Sequence, residues 1–280
     1  MEHRPFGPTK REVSVIGEGT WYIEQSHKAT AISAIQRGLD IGINHIDTAE
    51  LYGTGKSEKI IGEAIEGRRD EAFLVSKVQP GHASRTGTIA ACEGSLSRLG
   101  TDHLDCYLLH WRGSYPLQQT IEAFEELKHD GAILSWGLSN FDVPDLEEAL
   151  EIAGKGRIAC DQVLYNLNDR AIEHALIPWC GKHGVTVTAY SPFGHGDFPS
   201  PRTKEGRVLE EIANAHNATP RQVALSFLTR HPSVVAIPKA STPEHVVENA
   251  GAADIHLNKD EVNLIDEAFP LGPSATLTVF

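Results

Sequence analysis

Positive charge is in short supply in this 280-residue chain, with 25 Lys and Arg against 38 Asp and Glu and a formal net charge of −13. A surface of that sign repels nucleic acid and anionic membrane, which are bound through basic faces. No Lys/Arg-rich run supplies such a face locally. Long apolar runs are lacking too, and none approaches the ~18 uninterrupted residues of a membrane span. The start, Met1-Glu2-His3-Arg4-Pro5, has neither the charged end nor the apolar core of a signal peptide. The four cysteines, Cys92, Cys106, Cys160 and Cys180, form no CxxC pair, so neither a disulfide framework nor a zinc ribbon is expected. Among 14 histidines there is no HxH and no HExxH, and His27, His129, His183, His216 and His231 fall on helical or turn segments. A barrel metal hydrolase needs ligands converging at strand ends, so no metal is expected. The cytoplasm is the default compartment, no nucleic-acid or membrane partner is expected, and a monomer is expected over an oligomer.

What is present is a repeated alternation. At 40% hydrophobic residues the chain can fill one large core or two modest ones. After an opening, Phe6 to Val13, that reads as a small β-hairpin, short β-type runs alternate with longer amphipathic ones. The β-type runs are 13–16, 43–47, 73–78, 104–110, 134–139, 160–164, 185–190 and 234–238. Several are continuously apolar, as in strands covered on both faces. Helical spacing occupies 28–40, with Ile32, Ile35 and Leu39 on its apolar side, and also 86–99, 120–130, 144–153 and 220–230. Thr120 and Asp142 read as helix caps. Eight consecutive βα units predict an α/β fold, a closed (β/α)8 TIM barrel. The competing doubly wound sheet normally carries GxGxxG after its first strand. Gly17-Glu18-Gly19-Thr20-Trp21-Tyr22 begins that pattern but has Tyr22 in place of the last glycine.

In a parallel barrel, chemistry belongs at the C-terminal strand ends. Asp47, Lys77 and His110 fall there, and Tyr52 follows in the loop after Asp47. Singly, each has an ordinary structural explanation: a helix cap, a snorkelling lysine, a core histidine and a loop aromatic. Together they specify one mechanism. A phenol with a pKa of about 10 is a poor acid near neutrality; a neighbouring ammonium lowers that value, and a carboxylate holds the ammonium. A histidine beside the phenol orients a carbonyl. No side chain in this set donates a hydride, so a nicotinamide must.

Gly42-Ile43-Asn44-His45-Ile46-Asp47-Thr48-Ala49-Glu50-Leu51-Tyr52-Gly53 resembles the signature of the aldo-keto reductase superfamily around its catalytic Asp and Tyr. Val75-Ser76-Lys77-Val78 and Leu108-Leu109-His110-Trp111 resemble the segments that bear its Lys and His. The resemblance implies a single-domain (β/α)8 barrel over 1–280 and NAD(P)H bound extended, without a Rossmann domain. It implies that Ser139, Asn140 and Gln162 hold the nicotinamide carboxamide, that Tyr190 stacks on the ring, and that the segment from Ser191 through Phe193 to Gly196 covers the pyrophosphate. Lys239 corresponds to the cation at the adenosine 2′-phosphate, and Glu248 and Asn249 to the adenine-side pair. Two positions depart from the family pattern: Ala240 replaces a serine and His245 an arginine. Losing a guanidinium weakens discrimination against unphosphorylated ribose, so NADPH is expected first and NADH as a second cofactor. Trp21 and Trp111 are expected to wall the substrate pocket, left open by a short tail after Phe269. The implied activity is reversible reduction of aldehydes or ketones; the alternative is a cofactor-binding regulatory subunit with little turnover.

Overall fold

The computed structural model describes residues 1–274 and 277. In chain order its strands are β1 (His3–Pro5), β2 (Glu12–Ser14), β3 (Glu18–Gly19), β4 (His45–Asp47), β5 (Phe73–Val78), β6 (Cys106–Leu109), β7 (Trp136–Ser139), β8 (Ile158–Leu164), β9 (Thr186–Tyr190) and β10 (Val234–Ala236). Its α-helices are α1 (Lys28–Asp40), α2 (Lys56–Ala64), α3 (Arg85–Leu99), α4 (Leu117–His129), α5 (Val143–Ala153), α6 (Leu176–His183), α7 (Lys204–Ala215), α8 (Pro220–Leu228), α9 (Pro243–Ala250) and α10 (Lys259–Ala268). Strands β3 to β10 form one parallel sheet in sequence order, with helices outside it. Its two edges meet: the Gly17 amide donates to the Ala236 carbonyl at 2.8 Å, the Ala236 amide to Val15 at 3.0 Å, and the Gly19 amide to Pro238 at 3.1 Å. The architecture is the expected (β/α)8 barrel with an N-terminal hairpin.

The first strand is where the structure corrects the reading of 13–16. Val13 and Ser14 belong to β2, which pairs antiparallel with β1, whereas Val15 and Ile16 already meet Ala236 of β10 across the seam and pairing with β4 begins at β3. The seam explains the abortive GxG pattern. A Cβ on Gly17 would sit 2.8 Å from the His45 carbonyl oxygen, and one on Gly19 2.6 Å from that of Ile237. Both glycines permit the strands to close, which is a structural duty unrelated to a dinucleotide turn. The hairpin then stoppers the N-terminal end of the barrel. Phe6 is fully buried there, 4.7 Å from the Phe73 ring and 5.5 Å from that of His45.

Helix α1 has the boundaries its periodicity predicts. Its buried stripe runs Ala31, Ala34, Ile35, Gly38 and Leu39 (i, i+3, i+4, i+7, i+8), with Ile32 only partly covered. Asp142 caps α5 by accepting from the Asp145 amide, as expected. Thr120 does not cap α4. The helix starts earlier, at Leu117, and the buried Thr120 hydroxyl donates to the Ala83 carbonyl at 2.7 Å. No helix among the described residues is long and apolar enough to cross a membrane. Part of the tail after Phe269 lies outside the described residues, so the expectation of a short open tail is described only as far as Ser274 and at Leu277.

Candidate active site

Strand side chains alternate between two faces. Phe73, Val75 and Lys77 therefore share one face of β5, and Cys106 and Leu108 share one face of β6 with His110 just beyond it. The lower members of these rows (Phe73, Val75, Cys106, Leu108) pack with Phe6 in one buried apolar cluster. The upper members, Lys77 and His110, are polar, and His110 lines a cavity of about 560 Å³ at the C-terminal end of the barrel. Asp47, Tyr52, His110, Ser139, Asn140, Gln162, Tyr190, Ser191, Phe193 and Lys239 all line it, with Trp21 and Trp111 among its walls.

Lys77 lies directly behind this floor, fully buried. Its Nζ donates to Asp47 Oδ1 at 2.6 Å, to the Thr48 carbonyl at 2.9 Å and to the Tyr52 hydroxyl at 3.1 Å. Burial opposes charge on this ammonium, but Asp47 and Tyr52 outweigh it and hold its pKa above the ordinary value. Burial likewise lifts the Asp47 carboxyl, against the pull of Lys77 and of Gln162, whose Nε2 donates to Asp47 Oδ2 at 2.7 Å. For Tyr52 the expected downward shift is not the net result. Burial raises its pKa further than Lys77 lowers it, so the phenol keeps its proton at neutral pH. His110 stands edge-on to the Tyr52 ring, centroids 5.6 Å apart. Burial, then Lys77, pushes its pKa down to about 2, and its Nδ1 has no hydrogen-bond partner among the described residues. The imidazole is therefore neutral.

A second polar chain crosses the floor. The Ser139 hydroxyl donates to the Gln162 carbonyl at 2.8 Å. Asn140 Nδ2 donates to Ser139 Oγ and to the His110 carbonyl, both at 3.1 Å, and the Tyr190 hydroxyl donates to Asn140 Oδ1 at 2.9 Å. Asn140 makes these bonds from a left-handed backbone conformation, φ 62°, which asparagine tolerates better than most residues. Hydroxyl and amide groups set beside the flat ring of Tyr190 match a nicotinamide, whose carboxamide both donates and accepts.

The remaining sites lie apart from this floor. Lys239 is exposed at the cavity rim. His245, Glu248 and Asn249 sit on α9: His245 is exposed in the first turn, where its amide donates to the capping Thr242 Oγ, and Asn249 is buried. Glu248 lines a neighbouring cavity. Several contributors escaped the sequence reading. Tyr22 and Leu51, both exposed, join Trp21 at the mouth, and Trp21 stacks on Tyr22 with centroids 4.5 Å apart. Trp21 also meets His195 edge-on at 5.6 Å. Behind Asp47, the buried hydroxyls of Thr20, Ser57 and Thr48 form a chain, and Thr20 donates to the Asp47 carbonyl at 2.8 Å. Large exposed apolar residues were the signal for Tyr22 and Leu51; the hydroxyl chain had none, because its members are far apart in sequence. Among the described residues no three His, Cys, Asp or Glu side chains converge as a metal site.

The aldo/keto reductase family model matches residues 15–269. The methylglyoxal reductase YeaE of Escherichia coli strain K12 is 43% identical over 257 residues, covering 91% of this chain and 90% of its own length. The glyoxal reductase of Bacillus subtilis strain 168 is 34% identical, covering 91% and 88%. A crystal structure of an aldo/keto reductase from Klebsiella pneumoniae in complex with NADP and acetate superposes with a TM-score of 0.93 at 41% identity, covering all of both chains. The chain belongs to the aldo/keto reductase family.

Proposed function

We propose that this protein reduces small aldehydes, ketones and dicarbonyls to alcohols with NADPH, reversibly, and that Tyr52 is its proton donor. The observation that carries the proposal is the buried Asp47–Lys77–Tyr52 chain, at 2.6 and 3.1 Å, beside a neutral His110 on the floor of a cavity. The nicotinamide cofactor supplies the hydride. Every other duty falls to the chain. Ser139, Asn140 and Gln162 hold the carboxamide, and Tyr190 supports the ring face. The loop from Ser191 through Phe193 covers the pyrophosphate, Lys239 meets the 2′-phosphate, and Glu248 and Asn249 face the base. His110, neutral, donates a hydrogen bond to the carbonyl oxygen and sets it against the Tyr52 hydroxyl. As negative charge grows on that oxygen, the Tyr52 proton moves to it. The phenolate left behind is stabilised by the Lys77 ammonium, which Asp47 holds in place.

The substrate end of the cavity, formed by Trp21, Tyr22, Leu51, Tyr52, His110 and Trp111, presents no side chain of fixed charge among the described residues. That suits uncharged carbonyl compounds, in keeping with the dicarbonyl reductase names of the relatives above. With His245 at the position where the family usually has arginine, NADH serves as a second cofactor. The test is NADPH oxidation at 340 nm with methylglyoxal, glyoxal and aryl aldehydes. Substrate-dependent oxidation is expected. Tight NADPH binding without turnover on any carbonyl would instead favour the regulatory reading.

A further inference from the structure

Among the described residues four arginines face aromatic rings, and three of them have an evident structural reason. Arg11, Arg170 and Arg230 each also hold a carboxylate: Asp105, Glu173 with Asp266, and Glu173 respectively. Arg221 differs. It lies 5.4 Å from the Phe193 centroid and 5.1 Å from that of Phe198, and among the described residues it has no ion-pair partner. In a chain with such an excess of acid, an exposed arginine held on two rings and left unpaired is conspicuous.

Its surroundings give it a use. Among the described residues Arg221 is the one basic side chain lining a cavity of about 550 Å³, which shares Phe193 and Gly194 with the active-site cavity and has Glu248 in its wall. Arg221 sits in the first turn of α8, and the next residue, Gln222, donates through Nε2 to the Glu248 carbonyl at 2.7 Å, joining α8 to α9. Lys239 lines the other cavity and not this one. An extended dinucleotide with its nicotinamide at Tyr190 and its pyrophosphate under the loop bearing Phe193 brings its adenosine half here.

We infer that Arg221 is a cofactor-affinity residue whose guanidinium, held on Phe193 and Phe198, lays its flat face on the purine base, with Glu248 accepting from the base's amino group. Guanidinium planes stack on aromatic faces in a way that an ammonium cannot. The inference rests on the dinucleotide reading above and assigns Arg221 to the base rather than to the 2′-phosphate.

The test is equilibrium binding, read from protein and nucleotide fluorescence, on wild type, Arg221→Ala and Arg221→Lys, each first checked for an unchanged melting curve. NADPH, NADH and, by competition, adenosine 2′,5′-bisphosphate are the probes. Arg221→Ala should raise Kd for all three by about the same factor, roughly tenfold, with lysine restoring only part of the loss. Loss confined to the 2′-phosphorylated ligands, full rescue by lysine, or unchanged affinities would each overturn the assignment. Wild-type protein that binds no dinucleotide would overturn the cofactor reading itself, a separate failure.

Discussion

Replacing Lys77 with Met removes the cation from the centre of the site while roughly keeping its volume, and the structure sets the size of the consequence. At an effective dielectric of about 20, an ammonium 3.1 Å from a developing phenolate is worth about 5 kcal/mol. Asp47, on the same ammonium at 2.6 Å, offsets part of that. A net advantage of about 3–4 kcal/mol corresponds to roughly two to three decades in kcat. The same change leaves the Asp47 carboxylate buried without its cation, at a cost of about 3–5 kcal/mol in stability. Pairing Lys77→Met with Asp47→Asn separates the two effects, since the double variant buries no charge at this point. The assay is kcat under saturating NADPH, with a melting curve for each protein. The single variant should be slow and unstable, and the double variant slow but near wild type in Tm. A single variant that turns over within about threefold of wild type would refute the role given to Lys77.

Glu18, on β3, is buried, has no hydrogen-bond partner for either oxygen among the described residues, and has its pKa driven well above the ordinary 4.5 by burial. Above about pH 4.5 the unfolded chain releases this proton while the folded chain retains it, so stability falls as pH rises. Glu18→Gln should therefore raise Tm, by a margin that grows from pH 4 to pH 8; a margin independent of pH would contradict the reading. His110, with a pKa near 2, should give no titration in kcat/KM between pH 5 and 8, and an inflection there that vanishes in His110→Gln would count against a neutral imidazole. His245→Arg adds a bidentate donor in the first turn of α9 and should raise the preference for NADPH over NADH about tenfold by Kd ratio; an unchanged ratio would remove His245 from the cofactor site.

What the sequence disclosed, and what it hid, follows from how local each cause is. Helix α1 and strand β5 have the limits their patterns predict, because an apolar stripe and an apolar run are written in adjacent residues. The positions of Asp47 and Lys77 were legible for the same reason: Asp47 ends an apolar strand and Lys77 stands one residue before the end of another. The first barrel strand was not, because it makes a two-residue pairing and its closure depends on what Gly17 and Gly19 omit. Thr120 satisfies every local rule for a cap, yet its hydroxyl is taken by Ala83, 37 residues away. The upward pKa shift of Tyr52 was equally hidden. The sequence names the ammonium that opposes it, whereas the depth of burial that wins is a property of the packed barrel. Arg221 reads in sequence as an ordinary first-turn helix residue, and only the fold sets it against Phe193 and Phe198.

The central claim is that the Tyr52 hydroxyl gives the proton that completes carbonyl reduction. Tyr52→Phe keeps the ring beside His110 and deletes only the oxygen bonded to Lys77. Measured side by side with wild type, NADPH affinity should be unchanged and kcat should fall by roughly two to four decades. Turnover near the wild-type rate, with NADPH bound as tightly, would contradict the account.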